Sequence, residues 1–398
     1  MRHHCDILIS GGGIAGLSAA CIFASAGFET ICADPTPPIT DSTKPGADLR
    51  STAFLLPSVD LLEESGLWDA LSPHAAPLAI MRILDAGGAA GIIREQADFE
   101  AADLGLAAFG YNLPNTMLRK KMLGFLGQFG NFQLLAPETV GKITPRSSGA
   151  LLQLKGGGQI SAQLVIAADG RDSPLRTQLG IAVKTWHYGQ KAIVFNTTHS
   201  KPHQNISTEI HRSGGPFTLV PLEDPYKSAV VWMERGPEAA SLFAMNDHDF
   251  NQALTLRACG TLGAIEITGK RALWPIIAQR AERLNGPRTA LLAEAAHVIP
   301  PIGAQGLNMS LADLKSLKVL VETARNQGRD IGAPELLQKY NRNRWPDMAA
   351  RIKGVDLLNR ASMAEKPFLK DLRRAGLKYL HGFKPLRNEL MQRGLGAR

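Results

Sequence analysis

Several things are scarce or missing in the 398-residue sequence, and each absence closes a class of function. No apolar stretch reaches the roughly 20 residues of a bilayer-spanning helix, so an integral membrane protein is not expected. Cysteine is rare. Cys5, Cys21, Cys32 and Cys259 form no C-x-x-C pair and no His/Cys cluster with metal spacing. Neither a disulfide scaffold nor a metal centre is therefore expected. The first three thiols fall on presumed core elements, where burial in the reduced form is the expectation. The chain shows no internal repeat and no low-complexity tract. Its start, Met1-Arg-His-His, runs directly into a strand pattern, which leaves no room for a signal peptide and predicts a cytoplasmic protein. Acids are outnumbered, 36 against 44 Lys and Arg, for a net charge of +8. The excess is uneven, with many Lys and Arg but few acids from 342 to 398. No recognition motif and no basic–aromatic interleaving accompanies it, so nucleic acid is not the expected partner. Anionic lipid suits a basic surface better, and a solvated helical face is the commonest form of such a run.

What remains is the composition of a soluble globular chain, 44% apolar and 20% charged, long enough for two or three domains. Its organising stretch is 5–34. A short apolar run, 6–10, reads as a buried parallel strand. Gly11, Gly13 and Gly16 follow in the spacing G-x-G-x-x-G. A small-residue helix is predicted over 15–26 and a second strand over 29–33, closed by Asp34. Strand, glycine loop, helix, strand and terminal acid together form the dinucleotide-binding βαβ fingerprint. Gly11 permits the tight turn, Gly13 lets backbone approach a pyrophosphate, and Gly16 lets helix and strand pack closely. The helix N-terminus offers N–H groups to phosphate, and Asp34 is placed to bind a ribose.

The rest of the chain alternates. Four prolines and Gly46 make 35–54 an irregular loop. Arg50 stands near its end, placed either to neutralise a pyrophosphate or to bind a surface carboxylate. A helix is predicted over 57–65, a strand over 78–85, and a hairpin and loop over 87–102. Helical period marks 115–129, with Arg119 in its first turns. Strands follow at 132–135, 140–145, 151–154 and 159–167, the last running into Ala168-Asp169-Gly170-Arg171, a typical place for a site on an open α/β sheet. From 187 to 267 strands dominate (192–198, 207–210, 217–221, 228–234), broken by a helix at 247–258. A short strand at 288–293 leads into a Pro- and Gly-bearing loop and a helix carrying Leu307, Leu311, Leu314, Leu317 and Val321, a second potential anion site. Helices at 334–359 and 365–380 complete the reading.

Three motifs thus stand in a fixed order: GGGIAG at 11–16, ADGRDS at 168–173, and AEAAHVIPPIGAQGLN from Ala293. Together they resemble the class A flavoprotein aromatic hydroxylases, and within that group the ubiquinone-biosynthesis hydroxylases of the UbiH/UbiF type. DLRSTAF at 48–54, FGYNLPN at 109–115 and LWPI at 273–276 support the likeness, which spans roughly 6–348. It implies an α/β protein. A discontinuous Rossmann-like FAD-binding domain (1–77, 103–186, 286–348) would carry an inserted, mainly β substrate domain (78–102, 187–285) and C-terminal helices (349–398). It implies FAD as the resident dinucleotide and NADPH or NADH as reductant. Gly11, Gly13, Ile14, Ala15 and Gly16 would carry the pyrophosphate and Asp34 the adenosine ribose, with Arg50 and Arg119 against the cofactor. Asp169-Gly170 would serve FAD and the nicotinamide. Glu294 would meet the ribityl or pyrophosphate region. The 300–308 loop, with Pro300, Pro301, Gly303, Gln305, Gly306, Leu307 and Asn308, would lie along the isoalloxazine. One departure stands out: the family usually has Gly-Asp where this chain has Ala293-Glu294, which adds a methyl and a methylene and predicts a shifted or weaker hold on FAD.

The implied reaction is hydroxylation of a polyprenyl-phenol ring by O₂, through NAD(P)H reduction and a flavin C4a-hydroperoxide. The hard chemistry belongs to the cofactor, so no protein residue is assigned as the reacting group; Pro300, Pro301, Gly303 and Trp274 would shape the flavin loop and the ring pocket. His297 reads better as a structural histidine than as an acid or base. Trp274 either closes the pocket or packs in the core, and Arg171 either meets nicotinamide phosphates or makes a local ion pair. A long-tailed substrate wants an apolar pocket open towards the inner face of the membrane, with peripheral association there or with a biosynthetic complex. The competing classes are a non-catalytic FAD-binding scaffold, another flavoprotein reductase, and a halogenase, for which the W-x-W-x-I-P pattern is missing.

Overall fold

The computed structural model describes residues 2–88, 91–364 and 366–395. Its first sheet carries the N-terminal stretch. The parallel core runs across from Thr289–Leu291 through Gln159–Ala167, Arg2–Ser10 and Thr30–Ala33 to Phe132–Leu135. Strands covered on both faces need continuous apolar runs, and Ile7, Leu8, Ile9, Leu164, Val165 and Ile166 are all fully buried. The helix Ile14–Ser25 is buried almost all round, every residue from Gly16 to Ala24 included. A Cβ on Gly16 would overlap the Gly11 carbonyl, so only glycine allows this approach. The parallel strands end on one side, where the chain passes into Gly11, Asp34, Ala168 and Leu292. That edge is where open α/β sheets bind ligands.

The second sheet is antiparallel except where Ile206–His211 runs parallel to Ile80–Asp85. Its order is His297–Val298, Ile265–Ala281, Val183–His199, Lys227–Arg235, Pro216–Pro221, Ile206–His211, Ile80–Asp85 and Glu95–Glu100. Side-chain size alternates along these strands. Ile193, Phe195, Phe217 and Trp232 point to the helices Gly236–Ala244 and Asp247–Arg257, where Phe195 meets Phe250 at 5.2 Å between ring centroids and Phe217 meets Trp232 at 5.5 Å. The residues between them, Ala192, Val194, Val220, Ala229 and Val231, are small and look the other way. Large rings fill one face, and the other is left with room.

Several elements differ from the sequence expectation. The 35–54 loop ends in a strand, Ser51–Leu55, paired antiparallel with Gly110–Pro114, which also pairs with Ala76–Pro77. These partners lie far apart in sequence, so local pattern could not show them. Ile265–Ala281 is a 17-residue strand that the sequence hides, because Gly269 at φ +79° and Pro275 interrupt its pattern. The helix Gly236–Ala244 was not expected either. In the expected 87–102 hairpin, residues 89–90 lie outside the described residues, and Glu95–Glu100 pairs with Ile80–Asp85. The helix expected over 334–359 runs Pro334–Ser362. That expected over 365–380 is Pro367–Gly382, residue 365 lying outside the described residues, and a further helix, Lys384–Leu395, follows.

The helix Pro367–Gly382 is mounted inside out. A surface helix normally turns its apolar stripe to the core. Here the inner side is polar: Arg373 donates to the buried Asp85 carboxylate at 2.9 Å, as does Arg94 at 2.9 Å, and His381 meets the Asp98 carbonyl. The outer side carries Phe368 and Tyr379, 75% and 66% exposed, with Leu372 and Phe383. The last helix returns to the body, where Met391 packs with Leu55 and Phe109, and the Gly394 carbonyl accepts from Gln305. Burial would raise the Asp85 carboxyl, but Arg373 and Arg94 outweigh it and hold it below the usual carboxylate value. Its contribution is therefore complete above pH about 4 and is lost as pH falls through the lowered value. Asp85→Ala should cost about 3 kcal/mol at pH 7 by urea unfolding, because it strands two cations, and the gap to the parent protein should close towards pH 3.

Candidate functional site

A cavity of about 620 Å³ lies between the carboxyl edge of the first sheet and the small-residue face of the second. The two sheets are joined beside it, since His297 and Val298 pair with Arg280 and Gln279 of the long strand Ile265–Ala281.

The glycine loop forms one end. Gly13, Ile14, Ala15 and Gly16 line the cavity. Gly13 has an extended backbone, φ −68°, and a Cβ there would meet no atom within 4 Å. The helix it opens has no side-chain cap and no acid in its first turn, which leaves its first N–H groups to a ligand. Gly11 and Asp34 stand behind this wall. The Gly12 N–H donates to Asp34 Oδ2 at 2.5 Å and the Thr36 N–H to Oδ1 at 2.9 Å, so the acid is pinned at the strand end with lone pairs remaining.

Arg50 and Arg119 both reach the cavity, brought together by a residue the sequence reading did not single out. Asp48 binds Arg50 in a two-pronged bridge, 2.8 Å on each arm, accepts from the Asn115 amide at 2.8 Å and lies 3.5 Å from Arg119. Burial would raise its carboxyl, but Arg50, Asn115 and Arg119 together hold it below the usual value. One acid between two arginines leaves a net positive corner, and Arg119 Nε is buried without a partner. The guanidinium of Arg50 lies 5.5 Å from the ring centre of Trp274, which is exposed at the cavity wall and not in the core. The local signal for Asp48 was its place two residues before Arg50.

The second and third motifs meet through another unforeseen residue. Buried Arg176 donates to the Ala295 carbonyl at 3.0 Å and the Arg171 carbonyl at 2.8 Å, tying the two loops together. Asp169 turns away from the cavity. Its Oδ2 accepts from the Leu175 N–H at 3.1 Å, and burial raises its carboxyl pKa. Gly170, Arg171 and Glu294 face the cavity, with Arg171 Nε 3.9 Å from Glu294. Ala293 sits at φ +56°, the left-handed region that favours glycine. Pro300, Pro301 and Gly303 line the next stretch, and Gln305, Gly306 and Leu307 begin the helix Gln305–Asn326, again with no side-chain cap. Asn308 is turned inward. It donates to the Ala53 and Ala304 carbonyls at 2.7 and 2.6 Å and accepts from the Leu55 N–H at 2.8 Å. His297 bonds buried Asp313 at 2.8 Å, which in turn holds Arg344, so its ring is braced from behind. Among the described residues no cluster has the makings of a metal site.

Known proteins match this chain over nearly its whole length. The FAD binding domain family matches residues 4–353. The chain is 32% identical to the ubiquinone hydroxylase UbiL of Rhodospirillum rubrum, over 98% of this chain and 90% of that protein. It is 28% identical to the 3-demethoxyubiquinol 3-hydroxylase of Escherichia coli, over 98% of each. In fold it resembles the p-nitrophenol 4-monooxygenase PnpA of Pseudomonas putida, with a TM-score of 0.80 at 16% identity, over 100% of this chain and 99% of that one. The residues present fit FAD. Two uncapped helix ends, the space at Gly13 and the orphaned Arg119 Nε supply donors and room for a diphosphate.

Gly13→Val should leave the apoprotein as stable as the parent, since the new side chain enters open space, but should remove FAD, measured as flavin absorbance per chain after gel filtration. Full flavin content would overturn the placement of the pyrophosphate at Gly13. Ala293→Gly relieves a left-handed strain of about 1–2 kcal/mol against an unfolded-state entropy cost of about 0.4–1 kcal/mol, and should raise the thermal midpoint by about 1–2 °C.

Proposed function

The chain belongs to the FAD binding domain family, and we propose from that membership that it hydroxylates the ring of a polyprenylated phenol in ubiquinone biosynthesis. It is an FAD-dependent monooxygenase. FAD, when bound, would supply the redox chemistry that links NAD(P)H to O₂; the chain's own residues bind, orient and exclude water. The observation that carries the reading is the continuity of the cavity. The dinucleotide cradle opens without a partition onto a floor of Ile83, Val194, Val220 and Val231, which suits an alkylated ring and keeps water from the reacting oxygen. The names of the R. rubrum and E. coli relatives support the substrate class.

In this reading Gly13 to Gly16, Arg50 and Arg119 hold the diphosphate, while Gly170 and Glu294 meet the chain between phosphate and ring. Gly303, Gln305, Gly306 and Leu307 run along the flavin, with the helix N-terminus favouring negative charge on it. Gly11, Asp169 and Asn308 act from behind by fixing backbone, and Asp34 meets the adenosine ribose with its remaining lone pairs. A non-catalytic flavin scaffold is the second reading, favoured by the strained Ala293. The purified protein should be yellow, and a 2-prenylphenol should accelerate its NAD(P)H consumption and gain one oxygen atom by mass spectrometry. A yellow protein whose NAD(P)H consumption ignores phenols would favour the scaffold.

No helix among the described residues is long and apolar enough to cross a membrane. The protein works in the cytoplasm as a peripheral protein on an anionic bilayer, docked by the outward stripe of the helix Pro367–Gly382. Charge supports the choice of lipid: between Lys366 and Leu395 eight Lys or Arg stand against two acids. The protein should float with vesicles containing phosphatidylglycerol, less so as salt rises, and the Phe368→Glu/Tyr379→Glu double variant should remain in solution. Parent protein that stays at the bottom of the gradient would instead favour a protein partner for the stripe.

A further inference from the structure

The second sheet gives the cavity floor one acid, set among small apolar residues, the hydroxyls of Ser207 and Thr218 and the cation Arg82. Along Ile206–His211 the residues facing the cavity alternate, Ser207 then Glu209. Glu209 is flanked across the sheet by Ile83 on one side and Thr218 on the other. Its side chain is 16% exposed, and Oε1 bonds His211 Nε2 at 2.5 Å. Among the described residues nothing bonds Oε2. A carboxylate this far out of water is costly unless it is paired, and half of this one is left for a donor from the cavity.

We infer that Glu209 is the receptor for the ring hydroxyl of the substrate, and that His211 holds the carboxylate in place for it. The inference rests on the reading of the chain as a phenol hydroxylase. An alkylphenol lying on the floor has one hydrogen-bond donor, its hydroxyl, and Glu209 Oε2 is the charged acceptor there, stronger than the neutral hydroxyls of Ser207 and Thr218. The bond is charge-assisted, and so short and directional. It fixes the rotation of the ring in its plane, and thereby which carbon is turned towards the flavin loop.

The same contact moves a proton. A phenol is a far weaker acid than a carboxylic acid, so the resting substrate keeps its proton and donates it in a hydrogen bond to the carboxylate. When a ring carbon forms its bond to one oxygen atom derived from O₂, the O–O bond breaks, the other oxygen atom leaves at the level of water with the two electrons supplied by NAD(P)H, and the ring hydroxyl, having lost ring electron density, becomes strongly acidic. Its O–H bond then breaks, the electron pair stays as the carbonyl π bond, and the proton bonds to Oε2. Loss of the ring C–H proton to water restores aromaticity, and the carbonyl oxygen takes the first proton back from Glu209. O₂ and NAD(P)H suffice as co-reactants.

The test compares 2-geranylphenol with its methyl ether, which lacks the donor, on the FAD-loaded protein. The measurements are binding by flavin absorbance change, and product and hydrogen peroxide formed per NAD(P)H consumed. The parent protein should prefer the phenol by roughly ten- to hundredfold, the range of a hydrogen bond to a charged group. Glu209→Leu should erase that preference while binding the ether as before, and should divert turnover to peroxide, with product per NAD(P)H down at least tenfold. Glu209→Gln keeps an acceptor oxygen and should retain a preference of a few fold, which keeps the inference testable if the leucine variant does not fold. Unchanged preference and coupling in Glu209→Leu, or in Glu209→Gln if it alone folds, would overturn the role of Glu209 and leave the hydroxylase reading standing. A parent protein that binds no phenol would remove both.

Discussion

The Asn308 amide engages three backbone groups at once, the Ala53 carbonyl, the Leu55 N–H and the Ala304 carbonyl. It thereby fixes the N-terminus of the helix Gln305–Asn326 against the strand Ser51–Leu55. One of those segments leads to Asp48 and Arg50, and the other presents the uncapped helix end. Without the clamp, the positive corner and the flavin loop would have no common frame. Arg176 does the equivalent between the second and third motifs. Both side chains are buried and turned from the cavity, so the site is held from behind by polar groups whose partners are backbone carbonyls and N–H groups. Each would leave unsatisfied backbone if removed, which is more costly than the bond itself is favourable.

The cavity arises from a different cause. Alternation of side-chain size on the second sheet places aromatic rings under the helices and Ala or Val under the cavity. The space is therefore a property of strand period, and needs no long loop to enclose it. It also explains why a single carboxylate there has consequence: on a floor without other anions, one charged oxygen decides how a ring lies.

The sequence made the dinucleotide half legible because its requirements are local. Gly11, Gly13 and Gly16 announce a turn, an open approach and a close packing within six residues, and the structure gives each its separate reason. The third loop was legible through its glycines and the helical period that follows. What stayed hidden depends on distant partners. Ser51–Leu55 is a strand only because Gly110–Pro114 lies beside it. Ile265–Ala281 continues through a glycine and a proline because Val183–His199 accommodates the irregularities. Asp48 opens DLRSTAF, but neither it nor Arg176 shows its role in the sequence, since their partners are supplied by the tertiary fold. Asn308 and Asp169 were visible as motif members, but which way they face was not.

The two strands and the helix around the glycine loop also bury three thiols, Cys5, Cys32 and Cys21. All four cysteines are unpaired, and burial pushes Cys5 and Cys32 up to about 12. Near pH 7 such groups stay protonated, and the thiolate is the form that oxidants attack. An oxygen-activating site that leaks peroxide endangers its own neighbours first. The three thiols behind the glycine loop are chemically quiet, so peroxide that reaches them meets no thiolate.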